Sequence, residues 1–184
     1  MKMFARTERL LLRPGFAEDA SALARAIADE QVCRNMSSPP WPYGVQEAQA
    51  FLAAPADPAL PRCLVFLRTG GAPELIGGVG LQRRPSGAVE LGYWIARAHW
   101  GKGYATEATR AVIDMARMLR LPRIEAAHFI DNPASANVLA KLGFRPTGLS
   151  APRHSCARGG EAMTRLYRLK LCEALGGEPA PLAA

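Results

Sequence analysis

The sequence feature that most constrains the fold is a strand pattern that runs into a glycine-rich turn and then into a long helical pattern. A mostly apolar strand pattern covers Val89 to Ala96, and the turn reads Trp100-Gly101-Lys102-Gly103. Apolar residues then recur at helical spacing up to Leu119. The N–H groups of a first helical turn have no acceptor within the helix, and the helix dipole makes that end positive. Because glycines let a ligand approach the backbone closely, this order of elements predicts a cradle for a phosphate or diphosphate. A turn that uses glycine for steric reasons alone is the alternative interpretation.

The glycine spacing and the distribution of basic residues exclude several other kinds of nucleotide-binding site. The spacing fits neither the G-x-G-x-x-G dinucleotide fingerprint nor a Walker P-loop. A net charge of +7 favours an anionic partner. The basic residues are scattered among acidic ones without an aromatic-interleaved patch, so we expect no nucleic-acid partner.

Strand and helix patterns along the rest of the chain predict one α+β domain with a mixed sheet. The predicted strands are Arg9–Leu12, Cys63–Leu67, Leu75–Leu81, Val89–Ala96, Ile124–Phe129 and Met163–Leu171. Helices are predicted from Glu18-Asp19, after the proline-rich segment 37–44, from about Ala105, and over Ala134–Leu142, where Gly143 is a natural stop. Ser86-Gly87 predicts a hairpin turn. We expect the domain to span residues 1–172 and residues 173–184 to form a disordered tail.

The cysteines and the apolar runs bear on the compartment. Cys33, Cys63, Cys156 and Cys172 are widely spread and form no C-x-x-C pair, which predicts free thiols in a reducing cytoplasm and no metal site. No stretch approaches the roughly 20 apolar residues of a membrane span, and the start of the chain has no signal-peptide pattern. These features predict a cytoplasmic protein without a membrane partner.

Three segments resemble motifs of the GNAT N-acetyltransferase superfamily. Residues Glu90–Ala108 resemble its acetyl-CoA-binding motif, R/Q-x-x-G-x-G/A, with Trp100 at the R/Q position, Gly103 at the central glycine and Ala105 at the final small residue. The form W-G-K-G-Y-A-T-E-A is similar to that of the ribosomal-protein N-acetyltransferases of the RimJ/RimL type. Segments 7–14 and 123–144 resemble the same branch, so the likeness extends over nearly the whole chain.

The resemblance implies a fold, a reaction and partners. The fold is a single GNAT-like domain whose central, mostly antiparallel twisted sheet is flanked by helices and contains a splayed parallel pair, here Val89–Ala96 and Ile124–Phe129. The reaction is direct transfer of acetyl from acetyl-CoA to a primary amine of a protein N-terminus or a small molecule, without a metal. Homodimers are common among relatives, which leaves a dimer open for this chain.

The resemblance also implies where the donor binds. Trp94, Ile95 and Ala96 line the pantetheine arm, and an N–H near Ile95 donates to the thioester carbonyl. The diphosphate binds the glycine-rich turn and the start of the following helix. The residues are Trp100, Gly101, Lys102, Gly103, Tyr104, Ala105 and Thr106. Asn132 and Ser135 match an N-x-x-S element that contacts the arm, and Ser135 is the candidate proton donor to the departing thiolate. Helix capping is the alternative role for both residues.

Two positions that carry the general acid or the general base in relatives are altered in this sequence. Leu139 stands where many relatives carry a tyrosine acid, and Ala127 stands where some carry a glutamate. Glu90 is the best remaining carboxylate and is a candidate base acting through water, with a salt-bridged strand residue as the alternative. Because those two positions are altered, a non-catalytic domain that binds acyl-CoA as a sensor or scaffold stays open.

Two loops are candidates for the acceptor side. The loop with Trp41 and Tyr43 borders the acceptor site in relatives, with plain packing as the favoured interpretation here. Arg153 and Arg158, predicted in the loop before the last strand, face either an acidic acceptor or solvent. The three histidines receive no role.

Overall fold

The computed structural model describes residues 3–171, which form one α+β domain around an eight-stranded sheet. The strands are β1 (Ala5–Arg6), β2 (Leu10–Arg13), β3 (Arg62–Leu67), β4 (Glu74–Arg83), β5 (Val89–Ile95), β6 (Arg123–Phe129), β7 (Arg145–Ser155) and β8 (Gly160–Lys170). The helices are α1 (Ala20–Ile27), α2 (Glu30–Arg34), α3 (Val45–Ala53), α4 (Tyr104–Met118) and α5 (Pro133–Lys141). The expected disordered tail, 173–184, and Cys172 lie outside the described residues.

The sheet is mixed, as the sequence predicts. Its strand order is β1-β2-β3-β4-β5-β6-β8-β7, and every neighbouring pair is antiparallel except β5 with β6. The turn at Ser86-Gly87 joins β4 to β5 as the predicted hairpin, with Gly87 at a φ of 81°. The α+β class and the mostly antiparallel sheet are therefore confirmed.

The two parallel strands separate after a short contact. Only Glu90 with Glu125 and Leu91 with Ala126 are paired between β5 and β6, although β5 continues to Ile95 and β6 to Phe129. Beyond these pairs, the backbone edges of the two strands diverge and open a gap in the middle of the sheet. The predicted splayed pair is confirmed.

Alternating side chains along the strands build a core on each face of the sheet. On β3, Cys63 and Val65 pack with the core beneath α4, whereas Leu64 and Phe66 pack with α1 and α3 on the opposite face. The apolar stripe predicted for α1 is buried in full, at Ala20, Leu23, Ala24 and Ile27. Helices α4 and α5 thus cover one face, and α1 to α3 cover the other.

Three elements were not predicted, and their local sequences explain why. Strand β7 carries Pro146, Gly148 and Pro152, which favour a loop, but it is an edge strand and prolines are tolerated there. The prediction that Arg153 lies in a loop is therefore wrong, since it lies on β7. The two-residue β1 and the single-turn α2 are too short for a periodic pattern.

No helix within residues 3–171 is long and apolar enough to cross a membrane.

Candidate active site

A cleft of about 840 Å³ opens where β5 and β6 separate. It extends from the amino end of α4, past the gap in the sheet, to the helices and loops on the opposite face. All the residues predicted to bind the donor line this cleft except Ala96 and Lys102. A cleft of this size at a break in a sheet is the usual setting of a small-molecule site.

The glycine-rich turn leads directly into α4. Gly101 and Gly103 have φ values of 75° and 82°, in the left-handed region that favours glycine. Gly103 is the N-cap of α4, and no side chain caps the helix. The first bond of the helix runs from the Glu107 N–H to the Gly103 carbonyl, at 3.1 Å. The earlier N–H groups of the turn therefore have no acceptor within the helix, at the positive end of the longest helix described.

Arg9 and Glu107 hold this turn against the start of the sheet. The Glu107 carboxylate accepts hydrogen bonds from the Thr7 hydroxyl, at 2.6 Å, and from Arg9 Nε, at 2.7 Å. Arg9 also donates to the Lys102 carbonyl, at 3.0 Å, and its guanidinium lies 4.6 Å from the centre of the Tyr104 ring. Burial disfavours the Glu107 carboxylate, but the hydrogen bonds from Thr7 and Arg9 together outweigh it and lower its pKa.

Trp100 fixes the other end of the turn. Its indole Nε1 donates to the Ile95 carbonyl at 2.6 Å, and the Arg97 guanidinium lies 4.3 Å from its ring centre. Lys102 instead turns away from the cleft, with Nζ 2.9 Å from the Ala98 carbonyl oxygen.

Backbone alternation on β5 decides which amides face the gap. The Ala96 N–H donates to the Ile76 carbonyl on β4, at 2.8 Å, so this amide is already used. Because the amides of an antiparallel strand alternate in direction, those of Tyr93 and Ile95 point away from β4, towards β6. Ile95, but not Ala96, therefore offers an N–H to the gap.

The residues of the N-x-x-S element meet β5 across the cleft. The Asn132 side chain caps α5, because its Oδ1 accepts from the Ser135 N–H at 3.2 Å. Ser135 Oγ lies 2.7 Å from the Tyr93 hydroxyl, which also donates to the Ser135 carbonyl at 3.2 Å. The capping alternative is thus realised for Asn132. Ser135 lines the cleft, and its hydroxyl has the Tyr93 hydroxyl as hydrogen-bond partner.

Glu90 forms an ion pair on the opposite face of the sheet. Arg153 donates to both carboxylate oxygens, at 2.5 and 2.9 Å, and Arg84 Nε lies 3.7 Å from one of them. The salt-bridged alternative for Glu90 is realised in the structure. Each carboxylate oxygen has a further lone pair, so the ion pair leaves room for a hydrogen bond from water or an amine.

The proline-rich loop and Trp94 close the cleft on this same face. Tyr43 and Trp94 both line the cleft and pack against the same buried cluster, and burial raises the pKa of Tyr43 to about 12. Trp41 is 41% exposed and does not line the cleft. Arg158 also lies outside it, paired with Asp131 at 2.8 Å.

Sequence reasoning missed the partners of the predicted residues. Arg9, Tyr93 and Glu107 stand inside the segments that carry the resemblance, but their contacts join residues 42 or more positions apart.

Comparison with known proteins agrees with this geometry. Residues 9–145 match the family described as an acetyltransferase (GNAT) domain. The N-acetyltransferase p20 of Bacillus licheniformis is 34% identical over 150 residues, which cover 78% of this chain and 83% of that protein.

Solved structures share the fold. A GNAT-family acetyltransferase from Bacillus anthracis superposes with a TM-score of 0.77 at 23% identity, covering 93% of this chain and 100% of that one. RimL, an alpha-N-acetyltransferase of a ribosomal protein solved in complex with coenzyme A, superposes with a TM-score of 0.74 at 16% identity, covering 91% and 98%. At these identities the two structures establish the fold alone.

Proposed function

Because the chain belongs to the GNAT family of N-acetyltransferases, we propose that it transfers acetyl from acetyl-CoA to the primary amine of a protein N-terminus or a small molecule. The observation that carries the proposal is the uncapped amino end of α4, which opens onto the cleft beside the gap between β5 and β6. Acetyl-CoA supplies an acetyl thioester, and the residues around the gap bind and orient it.

The amino end of α4 suits the diphosphate of the donor. Its free N–H groups and the helix dipole favour a doubly charged anion, and glycine at 101 and 103 lets the anion reach the backbone. Tyr104, Ala105 and Thr106 contribute the first-turn amides, and Trp100 holds the turn to the end of β5. Lys102 adds positive charge at the rim without lining the cleft.

The gap between β5 and β6 suits the extended pantetheine arm. The amides of Tyr93 and Ile95 face the gap and can pair with the arm as a neighbouring strand would. The Ile95 N–H is the proposed donor to the thioester carbonyl, whose oxygen gains charge as the amine attacks. Trp94 and Ala96 flank it without donating an N–H to the gap, and Asn132 keeps α5 against the arm.

Ser135 is the proposed proton donor to the departing thiolate. Its hydroxyl lies on the cleft wall within hydrogen-bond distance of Tyr93 Oη. The single Tyr93 proton can be donated to Ser135 Oγ, at 2.7 Å, instead of to the Ser135 carbonyl, at 3.2 Å. In that arrangement the serine proton is free to point into the cleft.

Glu90 is the proposed acceptor of the amine proton, through water. It lines the cleft on the face of the sheet that α1 to α3 cover, which is the proposed acceptor face. An amine must be neutral before it can attack. Arg153 holds the carboxylate in one orientation through two hydrogen bonds, which leaves the outer lone pairs to a water molecule.

Release of free thiol from acetyl-CoA tests the proposal. The enzyme is incubated with acetyl-CoA and a panel of amines, among them short peptides with free N-termini, while coenzyme A binding is measured by calorimetry. Amine-dependent thiol release together with binding supports the proposal. Binding without release on any amine would instead support the sensor or scaffold alternative, for which the buried Leu139 at the position of the tyrosine acid is the motivating residue.

A further inference from the structure

Three arginines line the cleft on the acceptor face, and we name them the basic wall: Arg62 on β3, Arg84 after β4 and Arg153 on β7. We infer that the basic wall binds an anionic group, a carboxylate or phosphate, carried by the acceptor amine. This inference rests on the proposed function and names the chemical class of its acceptor.

The charges of the basic wall do not balance within the described part of the chain. The single carboxylate of Glu90 is shared by Arg153, in two hydrogen bonds, and by Arg84, at 3.7 Å. Two guanidinium groups around one carboxylate leave one positive charge in excess. The Arg84 side chain makes no hydrogen bond to any residue from 3 to 171 and is 40% exposed, so its donors are available to a ligand.

Arg62 adds a second positive charge that lacks a carboxylate partner among residues 3–171. Its guanidinium donates to the Ala54 carbonyl at 3.0 Å and lies 5.0 Å from the centre of the Phe51 ring. Burial lowers the pKa of Arg62, the sign of a cation that has lost water without gaining a counter-ion. An anion in the cleft offsets that desolvation cost.

The basic wall is separate from the proposed diphosphate site. Arg153 pairs with Glu90, whereas Tyr93 three positions along β5 pairs with Ser135 of α5. Side chains an odd number of positions apart on a strand point to opposite faces. An anion on the basic wall therefore lies across the sheet from α4 and α5, on the side from which an acceptor approaches.

Gly92 leaves open space on the sheet surface between the basic wall and the gap, and we call this surface the floor of the cleft. Gly92 on β5 is paired with Gly80 on β4, and a Cβ added at Gly92 would meet no heavy atom within 4 Å. Two residues of strand, about 6.6 Å, separate Gly92 from Glu90. A ligand lying over this floor thus places its anion several bonds from the reacting amine, unlike a simple α-amino acid.

Matched acceptors test the inference. Thiol release is measured with 4-(aminomethyl)benzoate, with its neutral amide 4-(aminomethyl)benzamide, and with the corresponding phenylphosphonate. We expect kcat/KM for the carboxylate or the phosphonate to exceed that for the amide by about tenfold or more. Comparison of the two anions distinguishes a carboxylate from a phosphate. Calorimetric binding of the same three probes to the enzyme–coenzyme A complex gives a readout that does not depend on turnover.

Arg84→Gln and Arg83→Gln form a matched pair of variants. Both remove one positive charge, but Arg83 pairs with Asp57 and does not line the cleft. Arg84→Gln is expected to bring the anion-to-amide ratio close to one while the affinity for coenzyme A is unchanged, and Arg83→Gln is expected to keep the ratio.

Two results would overturn the inference and leave the proposed function intact. One is equal turnover and equal binding of the amide and both anions by an enzyme that releases thiol. The other is a loss of coenzyme A affinity in Arg84→Gln as large as its loss of anion preference, which would assign the wall to the donor. An enzyme that releases no thiol with any amine contradicts the proposed function instead, and selective binding of the anionic probes then still supports the basic wall.

Discussion

The Tyr93 hydroxyl lies 2.7 Å from Ser135 Oγ and 3.2 Å from the Ser135 carbonyl oxygen, across the gap between β5 and α5. Burial raises the pKa of Tyr93 to about 12, so its phenol stays protonated near neutral pH. In the proposed mechanism Tyr93 positions the Ser135 hydroxyl.

Removing the Ser135 hydroxyl tests this arrangement. Ser135→Ala is expected to lower kcat on the order of 100-fold, the usual scale for a general acid, with a much smaller change in coenzyme A affinity. Tyr93→Phe is expected to have a smaller effect on kcat and almost none when added to Ser135→Ala, because it acts through the serine. Steady-state kinetics and calorimetry measure both, with the exposed Ser86→Ala as control. Equal losses of rate and affinity in Ser135→Ala would make Ser135 a contact residue only.

Gly103 tests the diphosphate site. Valine at this position has an unfavourable left-handed backbone, and its Cβ would lie 3.5 Å from a guanidinium nitrogen of Arg9, which holds the turn. We therefore expect Gly103→Val to abolish coenzyme A binding. Gly87→Val is the matched control, because Gly87 has nearly the same φ, 81° against 82°, in a hairpin turn outside the cleft. Both variants are expected to lose about 1–3 kcal/mol of stability from backbone strain. Unchanged coenzyme A affinity in Gly103→Val would place the diphosphate elsewhere.

Replacing Arg9 tests whether the glycine-rich turn must be held against the sheet for coenzyme A to bind. Arg9→Gln removes the ion pair with Glu107 and the hydrogen bond to the Lys102 carbonyl, so the turn loses its fixed position. We expect the Kd for coenzyme A to rise about fivefold, or about 1 kcal/mol. Arg117→Gln, which breaks an exposed pair with Asp114 at the other end of α4, is expected to leave Kd unchanged. The prediction fails if the two variants bind coenzyme A alike.

Asp19 tests the acid stability of the fold. Hydrogen bonds from Arg13, at 2.7 Å, and from the Phe16 N–H, at 2.8 Å, lower its pKa against the opposite effect of burial. A lowered folded-state pKa contributes stability above the ordinary value of about 3.9. That stability is lost as pH falls through the lower folded-state value. Asp19→Asn is expected to cost about 3 kcal/mol at neutral pH and to have a Tm that depends less on pH below about 4 than the wild-type Tm. If Tm fell equally with pH in Asp19→Asn and in the wild type, the prediction would be contradicted.

Much of the local geometry at the proposed donor site follows from adjacent residues and was predictable. Gly101 and Gly103 have the left-handed backbone that a glycine turn before a helix implies, and Asn132 caps α5 as its position suggests. These properties depend on backbone sterics and hydrogen bonds within a few residues. The sequence did not predict strand β7, because prolines in this segment locally indicate a loop. Only its pairing with the neighbouring strand makes it a strand.

The sequence by itself determined the order of elements, the glycine turn before α4 and membership of the family, because each depends on contiguous residues. Only the tertiary structure decided that Arg9 pairs with Glu107, that Tyr93 meets Ser135, and that Glu90 lies between Arg84 and Arg153. These contacts join strands and helices that are distant in sequence. Their geometry follows from sheet register and side-chain direction, which are set when the whole domain packs.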